Sequence, residues 1–185
     1  MPSSTPPNAR LFVDGYNMIG AWSFLKASRD QHGLEAARYD LIEALSEYAT
    51  FQGFETEIVF DAQYNRSVAS RESVNNYLWV AYTDHNQTAD TYIEKSCARF
   101  HTQINPRHHR LIVATSDRVQ RLTVVGYGAE CMSAAQLLSD IEWSRQRIKQ
   151  KLRTAQKPNR KRLSNTIDPV VQKRLAQMRF GMTGK

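Results

Sequence analysis

The 185-residue sequence has little cysteine: Cys97 and Cys131 are alone, without a CxxC pair and without histidines at a ligand-like spacing. Two isolated cysteines in a chain of this length argue against a disulfide framework and predict reduced thiols in a cytoplasmic protein. The apolar runs are too short to cross a membrane, and the first residues lack the cationic and apolar regions of a secretory signal. We therefore expect no membrane association. Because no GxGxxG or Walker sequence occurs, we also expect no nucleotide cofactor.

Acidic residues are nearly absent from the C-terminal end of the chain. Residues 145–185 carry 13 Lys and Arg against Asp168 alone, a net charge of +12, whereas residues 1–144 carry 12 against 17, a net charge of −5. An acidic body suits a bound cation, and a basic tail suits a polyanion because cationic side chains near phosphates release counterions. A merely solubilising tail is the alternative. An anionic membrane surface is a weaker alternative, because the tail has few aromatics.

Apolar runs alternate with amphipathic stretches over residues 10–153, and this order predicts a single α/β domain. The predicted strands span residues 10–14, 55–61, 77–83, 111–115 and 130–132. The predicted helices span residues 34–51, 88–100, 116–121 and 133–152. Such alternation predicts a three-layer sandwich, in which a mainly parallel central sheet has helices on both faces.

Three segments flank or interrupt this pattern. Residues 1–9 are expected to be a disordered lead-in, and residues 154–185 a basic linker followed by a short amphipathic helix. Residues 62–76 are long and polar, which predicts a functional or disordered loop next to the end of a strand. The cationic residues of the loop and tail that we expect to contact a polyanion are Arg66, Arg71, Arg160, Lys161, Arg162, Lys173 and Arg174.

Acidic residues recur where the predicted strands end. Asp14, Asp61 and Asp117 each follow an apolar run, and Asp90 and Glu94 share one face of a predicted helix. Because parallel strands deliver their carboxyl ends to one crevice, these acids are expected to converge. Clustered carboxylates repel each other unless a divalent cation neutralises them, and hard oxygen ligands suit Mg²⁺ or Mn²⁺. For Asp14 and Asp117, taken singly, capping of the next segment is the alternative, with Ser116 a candidate for the true cap.

Other polar residues beside these acids are predicted to support them. Asn17 can reach back to the site, Ser116 can orient a carboxylate, and Thr88 caps the helix that carries Asp90. Asp61 is assigned to the rim, where it would orient a neighbour or a metal-bound water. Tyr16 lies next to Asp14 and is a candidate for stacking on a substrate base. The histidines have no ligand-like spacing, so none is assigned to the site.

Four blocks of sequence, in this order, resemble the YacP-like branch of the NYN domain family: LFVDGYNMIGAW at 11–22, VFDA at 59–62, TADTYIE at 88–94 and ATSD at 114–117. The resemblance covers about residues 10–152 and leaves the basic tail outside it. It implies a PIN-like fold and Mg²⁺- or Mn²⁺-dependent cleavage of RNA. One bacterial branch of the family consists of ribosome-associated endonucleases that act on mRNA, so mRNA and the ribosome are the partners it suggests.

Position by position, the resemblance maps the family's acids onto Asp14, Asp90 and Asp117. These would hold one or two cations that activate a water and stabilise charge on the phosphate, and Glu94 would complete the set or hold that water. The rival interpretations are a non-catalytic RNA- or ribosome-binding module, a DNA-directed PIN-like nuclease and a phosphatase. Clustered negative charge facing phosphates disfavours a pure binder. The lack of a DxD pair after the first strand disfavours an aspartyl-phosphate enzyme.

Overall fold

The computed structural model describes residues 9–61, 69–102 and 110–156, and these form a six-stranded sheet in the order β3-β4-β2-β1-β5-β6. The strands are β1 Ala9–Asp14, β2 Phe54–Phe60, β3 Ser70–Asn75, β4 Leu78–Tyr82, β5 Leu111–Ala114 and β6 Glu130–Met132. The helices are α1 Gly15–Ala21, α2 Ser23–His32, α3 Leu34–Gln52, α4 Ala89–Thr102, α5 Arg118–Gly126 and α6 Ala134–Gln156. Every strand pair is parallel except β3 with β4. The predicted α/β fold with a mainly parallel sheet is confirmed.

The side chains of the central strands alternate between two cores, one on each face of the sheet. Leu11 and Val13 pack with α1, α2, α3 and α6, whereas Phe12 between them packs with α4 and α5. Strand β2 alternates in the same way, with Ile58 on the first face and Val59 on the second. A strand buried on both faces reads as a continuous apolar run, which is the pattern of these sequences.

The ends of the long helices follow the local sequence. Gly53 ends α3 in the left-handed conformation, with φ of 66°, that favours glycine. At the start of α6, Ser133 Oγ accepts the Gln136 N–H and Gln136 Oε1 accepts the Ser133 N–H, which is a reciprocal capping pair. Thr88 accepts the Thr91 N–H at the start of α4. The predicted positions of these three helices are therefore confirmed to within a few residues.

One prediction is wrong for part of the segment 62–76. Ser70–Asn75 form strand β3, which pairs antiparallel with β4 through a tight turn at residues 76 and 77. Strand β3 is at the edge of the sheet and is exposed along most of its length, so its residues are polar apart from Val74 and give no apolar run. The rest of that loop, residues 62–68, lies outside the described residues.

The sequence pattern also missed two helices. Between Asp14 and Leu34 no helix was predicted, yet α1 and α2 occupy this stretch. Helix α2 begins after Trp22, which is 2% exposed and whose indole N–H donates to the Ala134 carbonyl at 2.8 Å. A contact across 112 residues cannot be read from local periodicity. Helix α5 is also longer than predicted and begins at Arg118 rather than Ser116.

A buried carboxylate joins the edge strand β3 to the rest of the sheet and to α4. Glu57 in β2 is 2% exposed and accepts hydrogen bonds from Arg10 in β1, Arg71 in β3 and the Tyr92 hydroxyl in α4. The Arg71 guanidinium also lies 5.1 Å from the centre of the Trp79 ring. Arg71, predicted to contact a polyanion, is therefore already engaged with Glu57, although 44% of its side chain is exposed.

The chain divides into two compact units, residues 1–148 and 149–185. All six strands belong to the first unit, and of the second unit the structure describes residues 149–156, which are helical. No helix within the described ranges is both long and apolar enough to cross a membrane. The predicted domain boundary at residues 153 and 154 stays a prediction.

Candidate active site

A cleft of about 550 Å³ opens at the carboxyl ends of β1 and β2 and the beginning of α4. It is lined by three of the five predicted acids, Asp14, Asp61 and Asp90, together with Thr88 and Asn17. Its remaining lining residues include, from α1, α2 and the start of α3, Tyr16, Ile19, Gly20, Arg29 and Leu34. Asp117 and Glu94 are outside this lining, although their charges act on the acids inside it.

Asp14 is the most buried of the five predicted site acids, with 9% of its surface exposed. One of its oxygens, Oδ1, accepts the Asn17 N–H at 3.0 Å and caps α1. The pKa of Asp14 is raised to about 6, mainly by burial and also by the charges of Asp90 and Asp117, which together outweigh the backbone hydrogen bonds from Asn17 and Tyr16 that lower it. Asp14 therefore caps the next helix through Oδ1, as the capping alternative held. The negative charges of two other predicted acids also disfavour its ionisation.

Gly15, the residue after Asp14, packs closely against the ring of Phe60. A Cβ on Gly15 would lie 2.3 Å from the Phe60 ring, so the first turn of α1 packs directly on the end of β2 only because this residue is glycine. Parallel pairing of β1 with β2, in which Asp14 is opposite Val59, places Asp14 and Asp61 at the same edge of the sheet, and both line the cleft.

Asp90 lies in the first turn of α4, where the helix dipole favours a negative charge. Its pKa is nevertheless raised, first by burial and then by the charges of Asp117, Glu94 and Asp61. The predicted acids therefore influence each other as one group, although the sequence separates most of them by dozens of residues. Convergence at the sheet edge accounts for this coupling.

Asp117 caps α5, with Oδ1 accepting the Val119 N–H at 2.7 Å and the Gln120 N–H at 3.0 Å. Ser116, the other candidate for this cap, instead accepts the Ala134 N–H at 3.1 Å through its hydroxyl. The Ser116 N–H donates to Asn17 Oδ1 at 2.8 Å, which joins the segment after β1 to the segment after β5. Asn17 thus holds together the two segments that carry Asp14 and Asp117.

Carboxylate oxygens are the ligands that Mg²⁺ and Mn²⁺ prefer, so the donor types of this cleft fit a divalent cation. The mutual repulsion that helps to raise the pKa values of Asp14 and Asp90 is what such a cation would neutralise. Within the described residues, no group of three or more His, Cys, Asp or Glu side chains is arranged to hold a metal ion. The chemistry of the donors therefore fits, whereas a closed ligand set is not formed there.

Two arginines that the sequence pattern did not single out lie at the cleft. Arg29 of α2 lines it directly. Arg38 of α3 is 5% exposed, donates from Nε to the Tyr16 hydroxyl at 3.1 Å and from Nη1 to Glu35 at 2.6 Å. Its guanidinium lies over the rings of Tyr16, Phe60 and Tyr82. The available signal was that position 38 falls on the apolar stripe of α3, between Leu34 and Leu41.

Most of the predicted polyanion contacts fall outside the described residues. They are Arg66 in the loop and the tail residues Arg160, Lys161, Arg162, Lys173 and Arg174. Their contact with a polyanion stays a prediction from sequence and charge.

Comparison with known proteins gives one consistent result. The family model of the YacP-like NYN domain matches residues 11–180, so the expectation that the resemblance ends near residue 152 and leaves out the basic tail is wrong. The uncharacterized protein YacP of Bacillus subtilis (strain 168) is 37% identical over 150 residues, which is 80% of this chain and 85% of that protein. The crystal structure of Rae1 (YacP) from Bacillus subtilis has a TM-score of 0.65 at 35% identity and covers 92% of this chain and 94% of its own. The crystal structure of a mutant form of Rae1 has a TM-score of 0.66 at 35% identity, with 81% and 84% covered.

Proposed function

The chain belongs to the YacP-like NYN domain family, and from this premise we propose that it is a metal-dependent endoribonuclease. The family and its PIN-like fold are consistent with a nuclease module. The observation that carries the proposal further is the cleft in which Asp14, Asp61 and Asp90 converge, and in which burial and neighbouring charges raise the pKa values of Asp14 and Asp90.

Asp14, Asp90 and Asp117 would hold a divalent cation, either Mg²⁺ or Mn²⁺. When bound, such a cation supplies a water of lowered pKa and neutralises charge on the phosphate. The chain's own residues orient these donors. The N–H groups of Asn17 and Tyr16 hold Asp14, and the N–H groups of Val119 and Gln120 hold one oxygen of Asp117, which fixes the orientation of each carboxylate.

The remaining acids and hydroxyls would act around this set. Glu94, one helical turn after Asp90, would complete the set or orient the attacking water, and Asp61 would act at the rim of the cleft. Thr88 and Ser116 would keep the helix and strand ends in place, since each accepts a backbone N–H. Tyr16 is the candidate for contact with a base.

RNA is the substrate that the family favours, and mRNA on the ribosome is the most specific form of this proposal. The concentration of positive charge after residue 144 supports a polyanionic partner of this kind. The two isolated cysteines support a cytoplasmic location, where thiols stay reduced.

The test is incubation of the purified full-length protein with a mixed ladder of RNA and DNA, with Mg²⁺, with Mn²⁺ and with EDTA. We expect RNA to be cut internally in either metal and to survive in EDTA, and Asp90→Asn to be inactive while its circular dichroism is unchanged. Cleavage of DNA alone would indicate a DNA-directed nuclease. Cleavage by Asp90→Asn at the wild-type rate would refute the assigned site.

A non-catalytic RNA- or ribosome-binding module is the second candidate. The observation in its favour is that the described acids do not form a closed metal site. Isothermal titration with Mn²⁺ distinguishes the two, because a binding module has no need of an ion in the cleft. Saturable Mn²⁺ binding that is lost in Asp14→Asn is the result expected of the nuclease.

A further inference from the structure

We propose that Arg29 of α2 contacts a phosphate of the RNA, and that the side of the cleft formed by α1, α2 and the start of α3 holds the nucleotide next to the cleaved bond. This inference rests on the proposed function, because it takes RNA as the ligand. It assigns a substrate contact to a residue that neither the sequence motifs nor the acidic cluster include.

The cleft has two chemically different sides. Asp14, Asp61 and Asp90 come from strand ends and the start of α4, and they are acids of the proposed reaction. Helices α1 and α2 and the start of α3 contribute Ile19, Gly20, Leu34 and Arg29. Of the described residues that line the cleft, Arg29 is the one cationic side chain.

A phosphate brought to a group of carboxylates needs positive charge on its other side as well. A guanidinium supplies this charge together with paired N–H donors that match two phosphate oxygens. Arg29 is accessible for such a contact, since 42% of its side chain is exposed. In the structure its guanidinium lies 2.9 Å from Asp30, which is the next residue and is 64% exposed.

The pairing with Asp30 does not prevent this role. An ion pair between two exposed neighbours contributes little, because water screens both charges and the long side chain must be held in one geometry. A paired hydrogen bond from a guanidinium to charged phosphate oxygens is stronger, because it matches two donors to two acceptors. Exchange of the first contact for the second is therefore favourable when RNA enters the cleft.

The apolar residues on the same side suit an unpaired base rather than a duplex. Leu34 and the ring of Tyr16 are partly exposed and present apolar surface, whereas Ile19 is 2% exposed and belongs to the core. A Cβ built on Gly20 would meet no atom within 4 Å, so this rim is open. A nucleotide must leave its helix to place its base against such a surface. The substrate class that follows is single-stranded RNA.

The first experiment measures binding of a short single-stranded RNA and of the same sequence as a duplex, in EDTA so that no cleavage occurs. The variants are Arg29→Gln and Arg29→Lys, and the matched control is Arg110→Gln. Arg110 is 51% exposed and pairs with exposed Glu130 at 2.7 Å, so it resembles Arg29 in exposure and pairing but lies outside both the cleft lining and the basic tail. We expect Arg29→Gln to weaken single-strand binding roughly tenfold. Arg29→Lys should fall between it and the wild type, and Arg110→Gln should bind as the wild type does.

The second experiment fills the open rim. Gly20→Phe would place a ring at the cleft, and Gly126→Phe is its control, because Gly126 is also an exposed glycine near a helix end with no atom within 4 Å of a built Cβ. We expect Gly20→Phe to reduce kcat/KM on RNA several-fold with an unchanged Tm, and Gly126→Phe to have no effect. Equal activity of the two variants would overturn the assignment of this side to the nucleotide.

The outcomes separate this inference from the proposed function. Normal metal-dependent cleavage by the wild type, with Arg29→Gln indistinguishable from Arg110→Gln, would overturn the role of Arg29 and leave the nuclease intact. A wild type that cuts nothing, together with the tenfold loss in Arg29→Gln, would support the RNA contact and refute the nuclease. A duplex bound as tightly as the single strand would contradict the substrate class.

Discussion

Asp14 combines two roles that conflict energetically. As the cap of α1 it stabilises the fold, since it accepts the Asn17 N–H. As a carboxylate that is 9% exposed beside other acids, it destabilises the fold when ionised. Residues kept at positions where they lower the stability of the fold are characteristic of functional sites.

This conflict predicts how Asp14→Asn will behave with pH. Asparagine is as good a cap as aspartate and carries no charge. The pKa of Asp14 is about 6 in the folded protein, above the ordinary value of 3.8, so protonation of Asp14 favours the folded state. This contribution to the free energy of unfolding is fully present below pH 3.8 and is lost as the pH rises through about 6. The variant should therefore match the wild type near pH 3.5 and unfold at a higher Tm above pH 7. The difference should be on the order of 3 kcal/mol at most.

Thermal unfolding followed by circular dichroism from pH 3.5 to pH 8, in EDTA, measures this difference. Added Mn²⁺ should raise the Tm of the wild type and leave that of Asp14→Asn unchanged, because a ligand that binds only the folded state stabilises it. A constant difference in Tm over the whole pH range would show that Asp14 is not the group responsible.

Arg38 is the second residue whose burial needs a reason. Taking a guanidinium out of water is unfavourable, and its acidic partner Glu35 is 82% exposed, so this ion pair does not explain the burial. In this buried position Arg38 donates two hydrogen bonds to the Tyr16 hydroxyl, and its guanidinium contacts three aromatic rings, those of Tyr16, Phe60 and Tyr82. Arg38 therefore fixes a side chain that lines the cleft.

At the scale of elements, the two edge strands of the sheet are attached differently. Strand β3 is joined to β2 and α4 through buried Glu57, which contacts Arg10, Arg71 and Tyr92. Strand β6 carries Glu130, which forms an exposed pair with Arg110 at 2.7 Å. Because α4 also carries Asp90, the Glu57 network connects the edge of the sheet to the candidate site.

Glu57→Gln should therefore destabilise the protein more than Glu130→Gln. Loss of the buried carboxylate weakens its three hydrogen bonds and should cost on the order of 2 kcal/mol, because Arg10 and Arg71 are 28% and 44% exposed and water can solvate their charges. An exposed pair contributes about 1 kcal/mol or less. Chemical denaturation gives both free energies of unfolding. Hydrogen exchange should locate the Glu57→Gln effect in β3, β4 and the first turns of α4. Equal free energies for the two variants would show that the network adds nothing to the sheet.

The predictability of the elements follows from how each is stabilised. Helix α3 and strands β1, β2 and β5 are long, periodic or continuously apolar, so their sequences identify them. Helix α1 depends on Gly15 packing against Phe60, and α2 on the hydrogen bond from Trp22 to residue 134. Strand β3 depends on a neighbour that supplies its hydrogen bonds, and its own residues are those of a polar loop. These three elements exist because of tertiary contacts.

At the scale of the whole molecule, charge is distributed unevenly along the chain. Residues 157–185 carry eight Lys and Arg against Asp168, a net charge of +7, which equals the net charge of the whole chain. The family model reaches residue 180, so most of this segment belongs to the family match.

Removal of residues 157–185 should weaken RNA binding and flatten its dependence on salt. Each phosphate that the tail neutralises contributes about 0.7 to the slope of log affinity against log salt for a single strand. Fluorescence anisotropy of a labelled RNA in EDTA, over a range of salt concentrations, measures both quantities. A full-length variant with these eight residues changed to glutamine controls for chain length and should behave like the truncation. An unchanged slope in both would show that the tail does not bind phosphate.

The sequence by itself determined the alternation of strands and helices, the parallel sheet and the convergence of Asp14, Asp61 and Asp90 at one cleft. These properties depend on periodicity and on the direction of parallel strands, which are local or topological rules. Tertiary structure alone decided that Asp14 is deeply buried, that Glu57 joins an edge strand to α4, and that Arg29 and Arg38 lie at the cleft. Burial and charge proximity depend on which distant residues meet, and neighbours in sequence carry no information about that.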